Sequence, residues 1–376
     1  MVNLDDLSIE EKLGQMMMVG FNGNKINDRV KNLILKYKVG GFILYKKNFD
    51  SYEQMLQIIK ELKLLNAQSN KIPLFIAIDQ EGGRVNRMPP EIKNLPSAYK
   101  LAQSGDLKAV KEAGDIIGEM LYESGINMNF APVLDIKRFK NKHAIGDRSF
   151  SDNKEEVIKY GLETMNQIKD NNVISVIKHF PGHGLTEKDT HFFLPVIKKS
   201  MEEIEKEDIL PFKTAIDNGV DAIMVGHMII NAMSKTLPAS LSRKLIGKYI
   251  RKKLRFNGLV ITDDLKMKAI RFVYGYKLAV RQAFTSGVDI IMFRFDPKDE
   301  KNAIKQAYNM TKQGIIKEYR INRSVKRILN IKRKYNISDT QKFTGIDIEK
   351  INERIQRIRD RVDFDWQEYI NNILIK

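Results

Sequence analysis

Residues Val173–Gly184 read VISVIKHFPGHG, and this stretch shows the pattern that decides the fold. The run Val173–Phe180 has the length of a strand and is apolar almost throughout, without the polar alternation of a half-exposed strand. Such a run is typical of a parallel strand that is buried on both faces. A polar, glycine-containing segment, PGHG, follows directly, so functional groups are predicted at the end of this strand.

Similar apolar runs recur along the chain, and amphipathic stretches of helical period lie between them. The other runs are Met16–Phe21, Gly41–Tyr45, Leu74–Asp79, Met128–Asp135, Asp221–Met228, Gly258–Asp264 and Asp289–Phe295. The helical stretches are Asn27–Lys36, Tyr52–Gln68, Leu107–Ser124, Lys154–Asp170, Met201–Asn218, Ser242–Leu254, Tyr276–Ser286, Asp299–Gln313 and Asn322–Tyr335. A capping box at Ser8–Glu11 opens a further helix before them. Strands that alternate with helices predict the α/β class.

Eight buried strands that alternate with helices favour a (β/α)8 TIM-type barrel, with an open doubly wound sheet as the competing arrangement. Residues 1–340 are predicted to form this catalytic barrel. The polar stretch Asn336–Asp347 is predicted to be a loop. Residues 341–376 are then predicted to form a short helical C-terminal extension, which docks on the barrel or mediates dimerisation.

The 376-residue chain has a formal net charge of +17 and contains no cysteine. Without cysteine, disulfides and thiolate metal sites are excluded. The sequence shows no signal-peptide pattern and no membrane-spanning stretch, which predicts a cytoplasmic protein, or an exported, cell-wall-associated one if a signal peptide has been removed. The basic balance is interpreted as a solvated lysine-rich surface, with an anionic cell-wall polymer as an alternative partner. No nucleic-acid-binding module accompanies it.

Polar residues follow the predicted strands at their carboxyl ends, where an α/β barrel carries its active site. They include the cluster Asp79–Arg84 and the residues Arg87, Asp135, Arg148, Lys178, His179, His183, His227, Asp263 and Asp264. A purely structural origin would distribute such residues over both ends of the strands. The one-sided distribution therefore predicts a catalytic or binding site at this edge.

The segment KHFPGHGLTEKDTH, Lys178–His191, holds three of the five histidines. A zinc site is disfavoured because no HExxH motif and no cysteine supports it. A nucleotide site is disfavoured because no P-loop and no dinucleotide fingerprint is found, so neither metal nor cofactor is predicted. Asp189 and His191 are two residues apart, so a carboxylate can orient an imidazole that works as general acid and base. Asp263 would then be the nucleophile of a retaining glycoside cleavage.

At these residues the chain resembles the glycoside hydrolase family 3 β-N-acetylglucosaminidases of bacterial cell-wall recycling. The matching segments are IAIDQEGGRVNRM at Ile76–Met88, NMNFAPVLDI at Asn127–Ile136, GDRSFSDN at Gly146–Asn153, VIKHFPGHGLTEKDTHFFLP at Val176–Pro195 and VITDDLKMKAI at Val260–Ile270. They occur in family order and span most of the predicted barrel.

The resemblance implies a role for individual residues. Asp263, the first aspartate of TDDL, matches the family's nucleophile, His191 its general acid/base and Asp189 the dyad partner of that histidine. Asp264 is left with a structural role. Five residues match positions that bind the terminal N-acetylglucosamine: Asp79, Arg87, Arg148, Lys178 and His179.

The implied reaction is the removal of a terminal β-linked N-acetylglucosamine, with retention of configuration, from a muropeptide or a chitooligosaccharide. Two alternatives remain open from the sequence. One is a phosphorylase that uses phosphate instead of water as the acceptor. The other is a non-catalytic cell-wall saccharide-binding protein, against which the intact Asp189, His191 and Asp263 argue.

Overall fold

The computed structural model describes residues 2–138, 144–185, 194–294 and 297–363. Its strands, numbered in chain order, are β1 (Met17–Val19), β2 (Gly41–Leu44), β3 (Phe75–Ile78), β4 (Met128–Asn129), β5 (Ile174–Phe180), β6 (Val196–Ile197), β7 (Ala222–Val225), β8 (Ile229–Ile230), β9 (Leu259–Thr262) and β10 (Ile291–Phe293). Strands β6 and β8 form a small parallel ribbon of their own, and the other eight strands form one parallel sheet.

The eight-stranded sheet closes on itself. Its strand order is β10-β1-β2-β3-β4-β5-β7-β9, and a parallel bridge between Ile261 and Ile290 joins its two outer edges. The backbone N–H of Leu265 also donates to the carbonyl oxygen of Met292 at 3.1 Å. The predicted (β/α)8 TIM-type barrel is therefore confirmed.

Helices surround the barrel. They are α1 (Ile9–Gln15), α2 (Asp28–Leu35), α3 (Tyr52–Ser69), α4 (Ala98–Gln103), α5 (Leu107–Glu123), α6 (Lys154–Asp170), α7 (Met201–Lys206), α8 (Leu210–Asp217), α9 (Lys268–Ser286), α10 (Pro297–Lys312), α11 (Glu318–Lys334) and α12 (Ile348–Asp363), with a π-helix at Lys244–Lys253. The capping box predicted at Ser8 and Glu11 is present at the start of α1. No helix in the described ranges is both long enough and apolar enough to cross a bilayer.

Two predicted elements differ from the structure. The helix predicted at Met201–Asn218 is divided into α7 and α8, because Pro211 in the first turn of α8 lacks the N–H that a continuous helix needs. The strand predicted at Met128–Asp135 forms a regular ladder only at β4. Pro132 within this run has no N–H to donate to a neighbouring strand, so the ladder ends early.

The C-terminal extension is helical at Ile348–Asp363 and packs on the barrel through α5. Three isoleucines at helical spacing on α12, Ile351, Ile355 and Ile358, are buried. The guanidinium of Arg354, also on α12, lies 2.7 Å from the carboxylate of Asp115 on α5. Docking is thus observed for α12, whereas the division of the chain at residue 340 stays a prediction.

A buried lysine on α11 links three segments of the chain at the amino-terminal end of the barrel. The Nζ atom of Lys332 donates to Oε1 of Gln15 at 2.9 Å and to the carbonyl oxygens of Gly40 at 3.0 Å and Pro73 at 2.6 Å. These three acceptors immediately precede β1, β2 and β3. This end of the barrel is therefore held by structural contacts, and the site lies at the other end.

Candidate active site

A cavity of about 270 Å³ opens at the carboxyl ends of the barrel strands. Asp263 lines it together with all five predicted substrate-binding residues, Asp79, Arg87, Arg148, Lys178 and His179. Other side chains of the wall were assigned no catalytic or sugar-binding role from the sequence, and they include Tyr45, Glu81, Arg84, His183, Met224, Asp264, Met267, Met292 and Arg294. A larger cavity, of about 470 Å³, lies beside α1 and contains none of the predicted site residues.

Asp263 lies in the turn that follows β9. Its backbone N–H donates to the carbonyl oxygen of Val225 on β7 at 3.0 Å. One oxygen of its carboxylate, Oδ1, accepts the backbone N–H of Asp264 at 2.7 Å. The backbone thus holds the carboxylate in place at the mouth of the barrel, where it lines the cavity.

One wall of the cavity is a cluster of four charged side chains from three segments of the chain, namely the residues after β3, β5 itself and the 3-10 turn Gly146–Arg148. The ammonium of Lys178 lies 2.7 Å from Asp79 and 2.6 Å from Glu81. The guanidinium of Arg148 donates two hydrogen bonds of 2.8 Å to the carboxylate of Glu81. Burial raises the pKa of Glu81, but the charges of Arg148 and Lys178 outweigh burial and hold it well below its usual range. The positive charges of Lys178 and Arg148 therefore neutralise the negative charges of Asp79 and Glu81 within this wall.

A second buried carboxylate orients the histidine that follows Lys178. The carboxylate of Asp135 accepts two hydrogen bonds from His179, one from the backbone N–H at 3.2 Å and one from the ring Nδ1 at 2.8 Å. It also accepts a hydrogen bond from the backbone N–H of His183 at 2.6 Å. Because a carboxylate offers only acceptors, Nδ1 of His179 must carry the hydrogen in this contact. The ring of His179 is thereby fixed against the cavity.

His183 follows on the same loop and lies at 5.8 Å from His179, measured between ring centroids. Burial lowers the pKa of His183 to about 4, and His179 adds to the lowering while Asp135 opposes it. The ring of His183 is therefore neutral near pH 7. This makes His183 a polar wall of the cavity and not a source of positive charge.

Asp264 and Tyr45 line the side of the cavity near β2 and β10. Burial raises the pKa of Asp264 to about 7, against the opposing effect of backbone N–H groups from Lys266 and Arg294. Both N–H groups donate to Oδ1 of Asp264 at 3.0 Å. The Arg294 guanidinium lies 4.7 Å from the ring centroid of Tyr45, so these residues close the cavity on that side.

Arg87 presents an unpartnered donor at the cavity. Its backbone N–H donates to Oε1 of Gln80 at 2.8 Å, which fixes the chain after the glycine turn Gly82–Gly83. Its side-chain Nε is buried and has no hydrogen-bond partner among the residues that the structure describes. A buried donor without a partner is costly, and a bound polar ligand would relieve that cost.

The predicted acid/base dyad, Asp189 and His191, lies outside the described residues. The chain on either side of it is described: His183 lines the cavity, and β6 pairs with β8 just after it. Among the described residues, no group of three or more histidines and carboxylates is arranged to hold a metal ion.

Three lining residues to which the sequence analysis assigned no individual role lie just after strands. Glu81 belongs to the polar cluster Asp79–Arg84 predicted at the end of the third strand, and its i, i+2 spacing from Asp79 could have indicated a second carboxylate on the same side. Tyr45 directly follows β2, and Arg294 directly follows β10. The three methionines of the wall could not be recognised as lining residues from the sequence. An apolar residue within or beside a strand has the same pattern as a residue of the hydrophobic core.

The comparisons with known proteins place the chain in a family. The model of the glycosyl hydrolase family 3 N-terminal domain matches residues 8–331. The chain belongs to glycosyl hydrolase family 3. The predicted family and the predicted enzyme class, glycoside hydrolase, are thereby confirmed.

Two relatives of the chain carry consistent names. Beta-hexosaminidase A of Pseudoalteromonas piscicida is 32% identical over 329 residues, which cover 81% of this chain and 55% of that protein. Beta-hexosaminidase of Hydrogenovibrio crunogenus is 31% identical over 309 residues, which cover 79% of this chain and 85% of that protein. The chain thus spans little more than half the length of the first relative and most of the second.

A solved member of the family has the same fold over nearly the whole chain. The glycoside hydrolase family 3 beta-N-acetylglucosaminidase from Paenibacillus sp. str. FPU-7 superposes with a TM-score of 0.90 at 35% sequence identity. The match covers 95% of this chain and 69% of that one.

Proposed function

We propose that the chain is a retaining exo-β-N-acetylglucosaminidase that removes terminal β-linked N-acetylglucosamine from peptidoglycan-derived saccharides. The observation that carries the proposal is the gathering of Asp263 with Asp79, Arg87, Lys178 and His179 around one cavity. These residues come from separate segments of the chain and match the family's nucleophile and its sugar-binding positions. The beta-hexosaminidase relatives support the same substrate class.

The size of the cavity supports cleavage from a chain end. Ligand sites for drug-sized molecules measure about 300–1,000 Å³, and the cavity of about 270 Å³ is slightly below that range. It therefore suits one sugar residue and not an extended polysaccharide. A terminal sugar would enter it and leave the aglycone outside.

The charged wall suits a sugar with its ring hydroxyls. Asp79 is engaged by Lys178 through one carboxylate oxygen, and a carboxylate can accept further hydrogen bonds from hydroxyl groups. The buried Nε of Arg87 offers a donor. Because Lys178 and Arg148 are already held by carboxylates, the wall can bind hydroxyls without rearranging its charges.

The proposed reaction has two displacements. A carboxylate oxygen of Asp263 attacks the anomeric carbon, the bond from that carbon to the leaving oxygen breaks, and the leaving oxygen takes a proton from His191. A water molecule then attacks the glycosyl–Asp263 ester, gives its proton to His191 and releases the sugar with its β-configuration. The roles of His191 and of its partner Asp189 rest on the likeness to the family.

Hydrolysis is proposed over transfer to phosphate because the relatives at 31–32% identity are named beta-hexosaminidases. A hexosaminidase releases the cleaved sugar to water and not to phosphate.

Proton NMR of a reaction with N-acetylglucosaminyl-1,6-anhydro-N-acetylmuramic acid tests the proposal. We expect β-N-acetylglucosamine as the first product, with the same rate in the presence and absence of phosphate. Formation of N-acetylglucosamine-1-phosphate would assign a phosphorylase. Binding of the disaccharide without any product would assign a non-catalytic binding protein. In a second assay, faster cleavage of nitrophenyl sugars that lack the 2-acetamido group would show that N-acetylglucosamine is not the preferred sugar.

A further inference from the structure

The turn that carries Asp263 is held from both neighbouring strands. On the β7 side, the carbonyl oxygen of Val225 accepts the backbone N–H of Asp263 at 3.0 Å. On the β10 side, the carbonyl oxygen of Met292 accepts the backbone N–H of Leu265 at 3.1 Å. Between these two bonds lies Asp264, whose backbone N–H donates to the Asp263 carboxylate.

A fully buried histidine fixes the carbonyl group of Asp264. His227 follows β7, and its Nε2 lies 2.9 Å from the carbonyl oxygen of Asp264. Its Nδ1 lies 2.6 Å from the hydroxyl of Ser240, which is also fully buried. A carbonyl oxygen can only accept, so Nε2 must carry the hydrogen, and the Ser240 hydroxyl can then donate to Nδ1. Both contacts thus set the orientation of one ring.

The side chain of Asp264 fixes the same turn from the opposite direction. Its Oδ1 accepts the backbone N–H of Lys266 at 3.0 Å, within the turn, and that of Arg294 at 3.0 Å, at the end of β10. The carbonyl group of Asp264 is therefore tied to β7 through His227, and its carboxylate is tied to β10. The two contacts together leave the backbone of Asp264 with one orientation.

We propose that His227 and Asp264 are positioning residues for the nucleophile, an inference that rests on the proposed function of Asp263. Neither touches the reacting atoms in this role. They fix the backbone of Asp264, whose N–H holds Oδ1 of Asp263, and so they aim the carboxylate at the anomeric carbon. Because reaction rates depend steeply on the alignment of the attacking group, loosening this turn slows glycosylation more than it weakens sugar binding.

Two matched pairs of variants separate positioning from folding and from charge. The Asp264 carbonyl oxygen also accepts the backbone N–H of Met267 at 3.0 Å. His227→Leu removes the side-chain donor that ties this carbonyl to β7, whereas His227→Gln keeps an amide N–H at a similar reach. Asp264→Ala removes the acceptor for the two backbone N–H groups, whereas Asp264→Asn keeps a carbonyl oxygen there. Ser240→Ala tests the ring orientation with little change in volume.

The measurement is the rate of nitrophenol release in a single turnover of nitrophenyl N-acetyl-β-glucosaminide by the full chain, with the Kd of N-acetylglucosamine as a second readout. We expect His227→Leu and Asp264→Ala to slow glycosylation by roughly 100-fold while Kd changes less than about threefold. His227→Gln and Asp264→Asn recover most of the rate. Ser240→Ala gives a smaller loss than His227→Leu.

Three results would overturn the inference. His227→Leu could turn over at the wild-type rate, or the conservative variants could be as slow as the disruptive ones, or Kd could weaken in parallel with the rate. A wild-type protein that does not cleave the substrate would instead refute the proposed function itself. If His227→Leu does not fold, Ser240→Ala and the Asp264 pair still decide the question.

Discussion

The carboxylate of Asp135 binds His179 twice, through its backbone N–H at 3.2 Å and through its ring Nδ1 at 2.8 Å. Both residues are buried, and Asp135 is fully so. Burial raises the pKa of Asp135, but His179 and further hydrogen-bond donors outweigh it and hold that pKa below its ordinary value. Asp135 thus orients the ring of His179, which lines the cavity.

Replacing Asp135 by Asn should destabilise the protein and loosen the sugar site. An amide cannot accept from all the donors that face this position, so a buried N–H loses its partner. We expect a loss of about 3 kcal/mol in the free energy of unfolding, measured by urea denaturation. Asp217→Asn, at an exposed position on α8, is the matched control and should change little. Equal stability of the two variants would show that the contact with His179 is not structural.

Replacing Glu81 by Gln should change how stability depends on pH. The pKa of Glu81 is depressed in the folded state, so its contribution is present above the unfolded value of about 4.3 and is lost as the pH falls below it. We expect Glu81→Gln to cost about 3–5 kcal/mol at pH 7, since Lys178 and Arg148 lose a shared partner. The difference from wild type should shrink at pH 3. Glu61→Gln, on the exposed face of α3, should show no such convergence.

Replacing Arg87 by Ala should weaken the binding of the sugar. The buried Nε of Arg87 has no hydrogen-bond partner within the described part of the chain, and a charged hydrogen bond to the sugar is worth about 1.5–3 kcal/mol. We expect KM for the nitrophenyl substrate to rise by roughly 10- to 100-fold while kcat changes less. Arg281→Ala on the exposed side of α9 serves as the control. A wild-type KM in Arg87→Ala would remove Arg87 from the sugar site.

Replacing Lys332 by Met should remove a pH dependence that originates far from the active site. Burial lowers the pKa of Lys332 to about 7. Between about pH 7 and 10 the unfolded chain then binds a proton that the folded protein does not, so stability should rise with pH, by up to about 1.4 kcal/mol per unit. Lys332→Met should lose this slope, and Lys326→Met, at an exposed position on α11, should keep it. An unchanged slope in Lys332→Met would mean that the buried lysine keeps its proton.

The strands and the strand-end residues of the site could be predicted because both are local properties of the sequence. The run Val173–Phe180 is apolar because both faces of β5 are buried, and Lys178 and His179 end that run. Asp263 ends β9 in the same way. A parallel barrel brings all such strand ends to one edge, so the predicted residues Asp79, Lys178, His179 and Asp263 were expected to meet without knowledge of their contacts.

Contacts between distant segments could not be predicted in this way. Glu81 and Arg148 are 67 residues apart, and nothing in the local pattern pairs them. His227 and Asp264 are 37 residues apart and meet only because β7 and β9 are neighbours in the barrel. The interruption between α7 and α8 is different, because it has a local cause. Pro211 lacks a backbone N–H, so the helix is interrupted although the pattern of apolar residues is continuous. The pairing of Asp189 with His191 lies outside the described residues and stays a prediction.

The proposed reaction requires a covalent bond between Asp263 and the sugar. A 5-fluoro derivative of N-acetylglucosaminyl fluoride slows release of the glycosyl group, so the labelled residue can be located by peptide mass spectrometry. We expect one sugar on the peptide that contains Asp263, and no label in Asp263→Asn. A protein that turns over substrate but carries no label, or carries it on another residue, would show that Asp263 is not the nucleophile.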